Sequence, residues 1–209
     1  MAKYDFVTKR LSQSAGILLE KLFPKTKIGN VQEIQYEFKT ILERSADLLF
    51  IDEVYKSKPD ILGRLVKYLK KLRITHVEFQ SSKDPKMLPR MLVYAALIYM
   101  EFGYWPTQYV IYLHEENQNL ASMLWDEISS KFLRFRVHIV YLCKIDADKY
   151  INDPDLGVVV FSSVMKFPKG KEVEYYKRIL TRIKEANITE REKFEHIEEL
   201  TLLTGLKPK

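Results

Sequence analysis

The chain has 209 residues, 46% of them hydrophobic and 12% aromatic, which supplies a substantial core and excludes a disordered protein. Its length suits one large domain, or one domain with an appended helical piece. A single cysteine, Cys143, rules out an intramolecular disulfide and a multi-cysteine zinc site. Set beside the apolar run Val140-Tyr141-Leu142, it reads as a buried, inert thiol.

The opening Met1-Ala2-Lys3-Tyr4-Asp5 lacks the apolar stretch of a secretory signal. No apolar run reaches the ~18 residues needed to span a bilayer, Met91 to Met100 coming nearest. The expectation is therefore a soluble, cytoplasmic protein with no membrane partner. Net charge is +6, and its distribution matters more than its size. Of 34 basic and 28 acidic residues, seven basic residues and Asp60 alone fall in 56–73, so the remainder balances at 27 of each. Concentrated positive charge is the usual footprint of a nucleic-acid or anionic-surface contact.

In chain order, residues 6–23 place Phe6, Leu11, Ile17, Leu18, Leu19 and Leu22 at helical spacing. A loop from Pro24 to Asn30 follows, then a more polar helix over 31–44. Ala46-Asp47-Leu48-Leu49-Phe50-Ile51 reads as a strand with one carboxylate set into it. Leu62, Leu65, Val66, Leu69 and Leu72 form an apolar stripe opposite a basic face, predicting a helix from Asp60 to Leu72, with Asp60 as its N-cap. The next helix starts near Pro89 and ends by Gly103; apolar nearly all round, it should be buried. A strand at 109–113, a helix at 118–133 and a strand at 136–142 continue the alternation. A short helix at 146–153 and a buried Gly157–Phe161 come next. Amphipathic helices at 171–186 and 190–203 close the chain, the second opened by the capping box Thr189-Glu190-Arg191-Glu192. Alternating strands and helices make the class α/β.

The stretch Ile74-Thr75-His76-Val77-Glu78-Phe79-Gln80 alternates with a period of two, so His76, Glu78 and Gln80 share one strand face. The plain reading of that row is a solvated face. His76-x-Glu78 is half of a zinc deaminase signature, but the two-cysteine partner is absent. His114-Glu115-Glu116-Asn117 is not H-E-x-x-H, and no P-loop, dinucleotide or hydrolase-elbow motif occurs. What remains is Asp47 on one strand and Glu78, with Gln80, on another. Carboxylates on adjacent strands are hard oxygen ligands suited to Mg²⁺ or Mn²⁺.

Four segments taken in order, Ser45-Ala46-Asp47-Leu48-Leu49-Phe50, His76-Val77-Glu78-Phe79-Gln80-Ser81, Arg90-Met91-Leu92-Val93-Tyr94 and Tyr109-Val110-Ile111-Tyr112-Leu113, resemble the Rpn-like (recombination-promoting nuclease) branch of the PD-(D/E)XK nuclease superfamily. Tyr4-Asp5-Phe6-Val7-Thr8-Lys9, Lys144-Ile145-Asp146-Ala147 and Asp153-Pro154-Asp155-Leu156-Gly157 are similar to it as well. The resemblance implies a restriction-endonuclease-like core with a mixed central sheet flanked by helices over 1–165, a basic helical insert at 56–73, and a C-terminal helical extension over 166–209 packed on it.

It also implies a Mg²⁺- or Mn²⁺-dependent DNA endonuclease tied to recombination or mobile elements. Asp47 and Glu78 would be ligands, and Gln80, where the superfamily more often has lysine, would orient water. Glu43 (with Glu37 as a rival), Arg90, Tyr94 and His76 are additional site candidates. Pro59-Asp60 spells the superfamily's own dipeptide, but helical spacing follows it, so Asp47 is preferred. Arg64, Lys67, Lys70, Lys71 and Arg73 would contact DNA backbone. DNA is the implied partner, with a homodimer as a further option. The alternative is a catalytically weak or inactive nuclease-fold protein that binds nucleic acid or a protein.

Overall fold

The computed structural model describes residues 10–24, 32–34, 37–38, 44–45, 48–56, 69–81, 84–113, 123–131 and 134–205. Strand β5 (Leu69–Gln80) runs near the middle of an open six-stranded sheet whose other members are β1 (Gln32–Ile34), β4 (Leu48–Lys56), β6 (Thr107–Tyr112), β7 (Met123–Ser129) and β8 (Arg134–Tyr141). Their order is β1-β4-β5-β6-β8-β7, while β2 (Glu37–Phe38) and β3 (Arg44–Ser45) form a separate antiparallel pair. β4 and β5 pair antiparallel from Leu48 opposite Val77 to Lys56 opposite Leu69. β5, β6 and β8 are mutually parallel, and β7 returns antiparallel along β8. Parallel neighbours need a crossover, supplied between β5 and β6 by helix α2 (Met87–Phe102).

The period of two along β5 divides the core between the two faces of the sheet. Ile74 packs with Leu49, Met91, Ile98, Val110, Val137 and Ile139 on the α2 side. Val77 and Phe79 pack on the opposite side with Tyr109, Ile111 and Val140. That second face is covered by α1 (Ser12–Leu22), α3 (Leu156–Phe161), α4 (Glu172–Glu185) and α5 (Glu190–Gly205). The protein is therefore α/β, a mixed sheet between helices. Ile179 and Ile183 of α4 and Leu200 and Leu203 of α5 share one core with Phe79 and Ile111. Each such fully buried side chain contributes about 1.5–3 kcal/mol.

The sequence reading of α1, α2, the strands at 74–80, 109–113 and 136–142, and the two closing helices matches the structure closely. Gly103 ends α2 in the left-handed region at φ 72°, its N–H donating to Tyr99 C=O at 2.8 Å. The capping box forms: Thr189 N–H donates to Glu192 Oε2 at 2.8 Å, and Glu192 N–H to Thr189 Oγ1 at 3.2 Å. The strand at 46–51 is described from Leu48 and continues to Lys56.

Other expectations are corrected. Within the span 31–44 expected to be helical, the described residues Gln32–Ile34, Glu37–Phe38 and Arg44–Ser45 are strands, and Ile34, Tyr36 and Phe38 carry a period of two in the sequence. The helix ending at Leu72 does not reach that far, because Leu69–Leu72 belong to β5, paired with Glu53–Lys56. The remainder of its span, 57–68, lies outside the described residues. The helix at 118–133 gives way to β7, where Glu127 accepts from Arg136 Nε across the pair at 2.5 Å. α2 is buried on one side only: Met100 is 80% exposed, and Tyr99 stacks on exposed Trp105. Cys143 is half-buried. The row His76-Glu78 is buried under α2.

Two sites on the far face make the packing testable. Gly157 opens α3 against α1 so closely that a Cβ there would stand 2.0 Å from Ser14 Oγ and 2.5 Å from Ser14 Cβ. Gly157→Ala should destabilise by about 1–3 kcal/mol, read as a lower urea midpoint.

His138 stacks on Tyr109 with centroids 4.6 Å apart, and Phe23 meets it edge-on. Burial lowers its pKa to about 4, because the imidazolium loses hydration. A depressed histidine pKa means the unfolded chain binds the proton first. Stability is whole above the ordinary value of 6.5 and is lost as pH falls from there toward 4. Discounted for half-exposure, the loss is about 1–2 kcal/mol. Urea melts at pH 7 and pH 4.5 should show it, and His138→Phe should remove that part of the difference.

Candidate functional site

Three elements build the site: β5 brings His76 and Glu78, β6 brings Gln108, and α2 brings Arg90, Met91 and Tyr94. In parallel register His76 lies opposite Gln108, so their side chains share a face of the sheet. α2 must cover that face because Ile74, Val110 and Ile139 on it are apolar. Polar groups trapped there need internal partners, since an unpaired one costs several kcal/mol.

The partners form a continuous chain. Gln108 Nε2 donates to Met91 C=O at 3.0 Å and stands 2.9 Å from His76 Nδ1. His76 Nε2 lies 3.0 Å from Glu78 Oε1. Arg90 Nη2 reaches Glu78 Oε2 at 3.4 Å, and Arg90 Nη1 reaches Asp84 Oδ2 at 3.1 Å. The edge of one ring meets the other where Tyr94 packs on His76, with centroids 5.1 Å apart and planes at 81°. His76 is 0% exposed and Glu78 2%, whereas the Arg90 side chain is 27% exposed, so the chain of contacts opens to solvent at the guanidinium.

Beside it lies a cavity of about 290 Å³ whose lining includes Asp84, Met87, Met91, Tyr112, Asp126 and Tyr141. Of the two carboxylates at its wall, Asp84 is paired with Arg90.

Of the residues singled out in the sequence, the structure brings together His76, Glu78, Arg90 and Tyr94. Gln80 ends β5 partly exposed, its C=O accepting from Leu113 N–H at 2.9 Å. Lys70 and Lys71 lie on β5, paired with Tyr55 and Val54, so the helical spacing that gathers them with Lys67 does not apply to them. Arg73 is half-buried on the same strand. Asp47, Glu43, Asp60, Arg64 and Lys67 lie outside the described residues, and Glu37 falls on β2. Leu48, the residue after Asp47, pairs with Val77, the residue before Glu78.

Sequence reading missed Gln108 and Asp84. Gln108 follows Thr107 at the start of the otherwise apolar and aromatic run Tyr109-Val110-Ile111-Tyr112, and an amide entering such a strand is a signal available in the sequence. Asp84 precedes Pro85 in an ordinary-looking polar loop, and nothing in that loop singles it out.

Among the described residues, no three histidine, cysteine, aspartate or glutamate side chains converge to hold a metal ion. Comparison with known protein families, curated proteins and solved structures finds no match for the chain. No helix among the described residues is long and apolar enough to cross a membrane.

The pairing of Arg90 with Glu78 should be measurable. Arg90→Met leaves a buried carboxylate short of a partner and should cost about 1–3 kcal/mol. Glu78→Gln with Arg90→Met should cost less than the two single changes together, a coupling of at least about 0.5 kcal/mol in urea unfolding. Additive losses would remove the ion pair from the account of the site.

Proposed function

We propose that the protein is a divalent-metal-dependent DNA endonuclease of the PD-(D/E)XK kind, Rpn-like, acting in recombination or on mobile elements. The observation that carries the reading is Glu78: a carboxylate kept 2% exposed in the middle of the sheet, at the end of an antiparallel pair and ahead of the α2–β6 crossover. A carboxylate enclosed in this way is costly to keep, which makes it a candidate for chemistry rather than for packing.

The residues fit a hard cation. Glu78 brings a carboxylate, a hard oxygen donor of the kind Mg²⁺ and Mn²⁺ take, to the place where the chain of contacts opens to solvent at Arg90. Asp47 and Glu78 would be the ligands, and Mg²⁺ or Mn²⁺ bound there would polarise a phosphodiester and acidify a bound water. Gln80 orients the attacking water through its amide but adds no positive charge to the transition state. Arg90, reaching solvent beside Glu78, is the cation nearest to an incoming phosphate oxygen. Arg64, Lys67, Lys70, Lys71 and Arg73 would contact the DNA backbone, and they belong to the stretch 56–73 that carries the chain's charge excess.

A second reading is favoured by one specific contact. Arg90 already neutralises Glu78, and with Gln80 in place of lysine the protein would then be a nuclease-fold module that binds nucleic acid or a protein without cutting.

Supercoiled-plasmid cleavage with Mg²⁺ or Mn²⁺ separates the two. Wild type should cut, and Glu78→Ala should cut at least about 100-fold more slowly. Charge reversal at Lys67, Lys70 and Lys71 should weaken DNA binding and flatten its salt dependence. Cleavage that persists in Glu78→Ala defeats the site assignment. Tight DNA binding without cleavage in the wild type selects the second reading.

A further inference from the structure

Gln108 has no place in the sequence-based site, yet it is 3% exposed, and its amide nitrogen makes two short contacts while its Oε1 has no hydrogen-bond partner among the described residues. That imbalance fixes the chemistry of its neighbours. Met91 C=O can only accept, so the atom 3.0 Å away must be the NH₂ of the amide. The second hydrogen of the same NH₂ is then the one aimed at His76 Nδ1, 2.9 Å away. A nitrogen that accepts there carries no hydrogen, which leaves the ring hydrogen on Nε2, pointed at Glu78 Oε1 at 3.0 Å.

Turning the amide over would set its oxygen against Met91 C=O, two acceptors face to face at 3.0 Å. The edge-on packing with Tyr94 holds the imidazole in place, and at 0% exposure no solvent reaches the ring.

Resting on the metal-site reading for its consequence and not for its geometry, we propose that Gln108 and His76 are positioning residues for Glu78. The Gln108 amide selects the Nε2–H tautomer of His76, and that hydrogen holds the Glu78 carboxylate in one orientation for its cation. Neither residue touches substrate. A histidine kept in a single tautomer by its far nitrogen is a general way to aim a carboxylate, and outer-shell partners of this kind alter metal affinity about 10–100-fold when removed.

The test uses the full chain and two readouts. Long-range ¹H–¹⁵N NMR of His76, assigned with His76→Gln, should show hydrogen on Nε2 alone in the wild type. A hydrogen on Nδ1, or a mixed pair of tautomers, overturns the proposal and needs no variant. In Gln108→Met, which keeps volume but has no donor, the tautomers should mix. Mn²⁺ affinity, read from paramagnetic broadening around Glu78, should fall at least about 10-fold.

A single Nε2–H tautomer and unchanged Mn²⁺ affinity in Gln108→Met overturn it as well. If Gln108→Met does not fold, Gln108→Leu takes its place in the same pair of readouts. Tautomer mixing in a protein whose wild type takes up no Mn²⁺ defeats the metal site and leaves the positioning of Glu78 by Gln108 standing.

Discussion

A carboxylate cannot be taken out of water without replacing what water supplied. In this protein the replacement for Glu78 comes from three separate stretches of chain: His76 two residues before it on β5, Arg90 on α2, and, one step removed, Gln108 on β6. Each contact constrains an element. β6 must pair with β5 in the register that sets Gln108 opposite His76, and α2 must dock at the height that brings Met91 C=O to the same amide. A slip of one residue in β6 would move Gln108 to the opposite face and set Thr107 or Tyr109 against the imidazole in its place. Apolar packing would tolerate several alignments of α2 over Ile74, Val110 and Ile139. The polar row singles out one.

The two faces of the sheet solve different problems. On the α1 side the contacts are almost wholly apolar: Phe79 stacks on Phe161, with ring centroids 5.8 Å apart, and helix α3 is buried from Gly157 through Phe161. The buried charges there are paired, Asp153 with Lys21 at 2.5 Å and Glu199 with Arg10 at 3.3 Å. On the α2 side the packing is interrupted by the polar row and by a cavity, and α2 leaves Met100 in solvent. The two faces thus differ in kind, one closed by four helices and the other by one helix over a connected polar row.

What could be read from sequence followed from periodicity. Ile74–Gln80, α2 and the two closing helices have clean periods and good end signals, Gly103 and Thr189–Glu192 among them, and there local preference and tertiary demand agree. The misread segments are those where the two compete. Met123–Ser129 contains residues that helices accept, and only its pairing with β8, including the Glu127–Arg136 contact, makes it a strand. Leu69–Leu72 completes a convincing leucine stripe in the sequence, yet the hairpin with β4 claims it.

Within the site, His76, Glu78, Arg90 and Tyr94 were visible because spacing on one strand or one helix groups them. Gln108 is 32 positions from His76, and only the parallel pairing of β5 with β6 makes them neighbours. The solvated reading of the row failed for a related reason: nothing local announces that α2 will lie across it.

The ion cluster on the far face carries a consequence for how the chain reaches this structure. Arg10, at the start of α1, pairs with Glu198 at 2.8 Å and with the buried Glu199 at 3.3 Å, both on α5, 188 positions or more away. The layer over that face thus combines residues from widely separated parts of the sequence. During translation α1 emerges early but has no α5 to meet, and the sheet face bearing Val77, Phe79 and Ile111 waits without its full cover. Closing so long a loop is slow, although its entropic cost grows only with the logarithm of its length. That cover is complete only once α5 has emerged, and until then the nascent sheet is the surface a chaperone would have reason to shield.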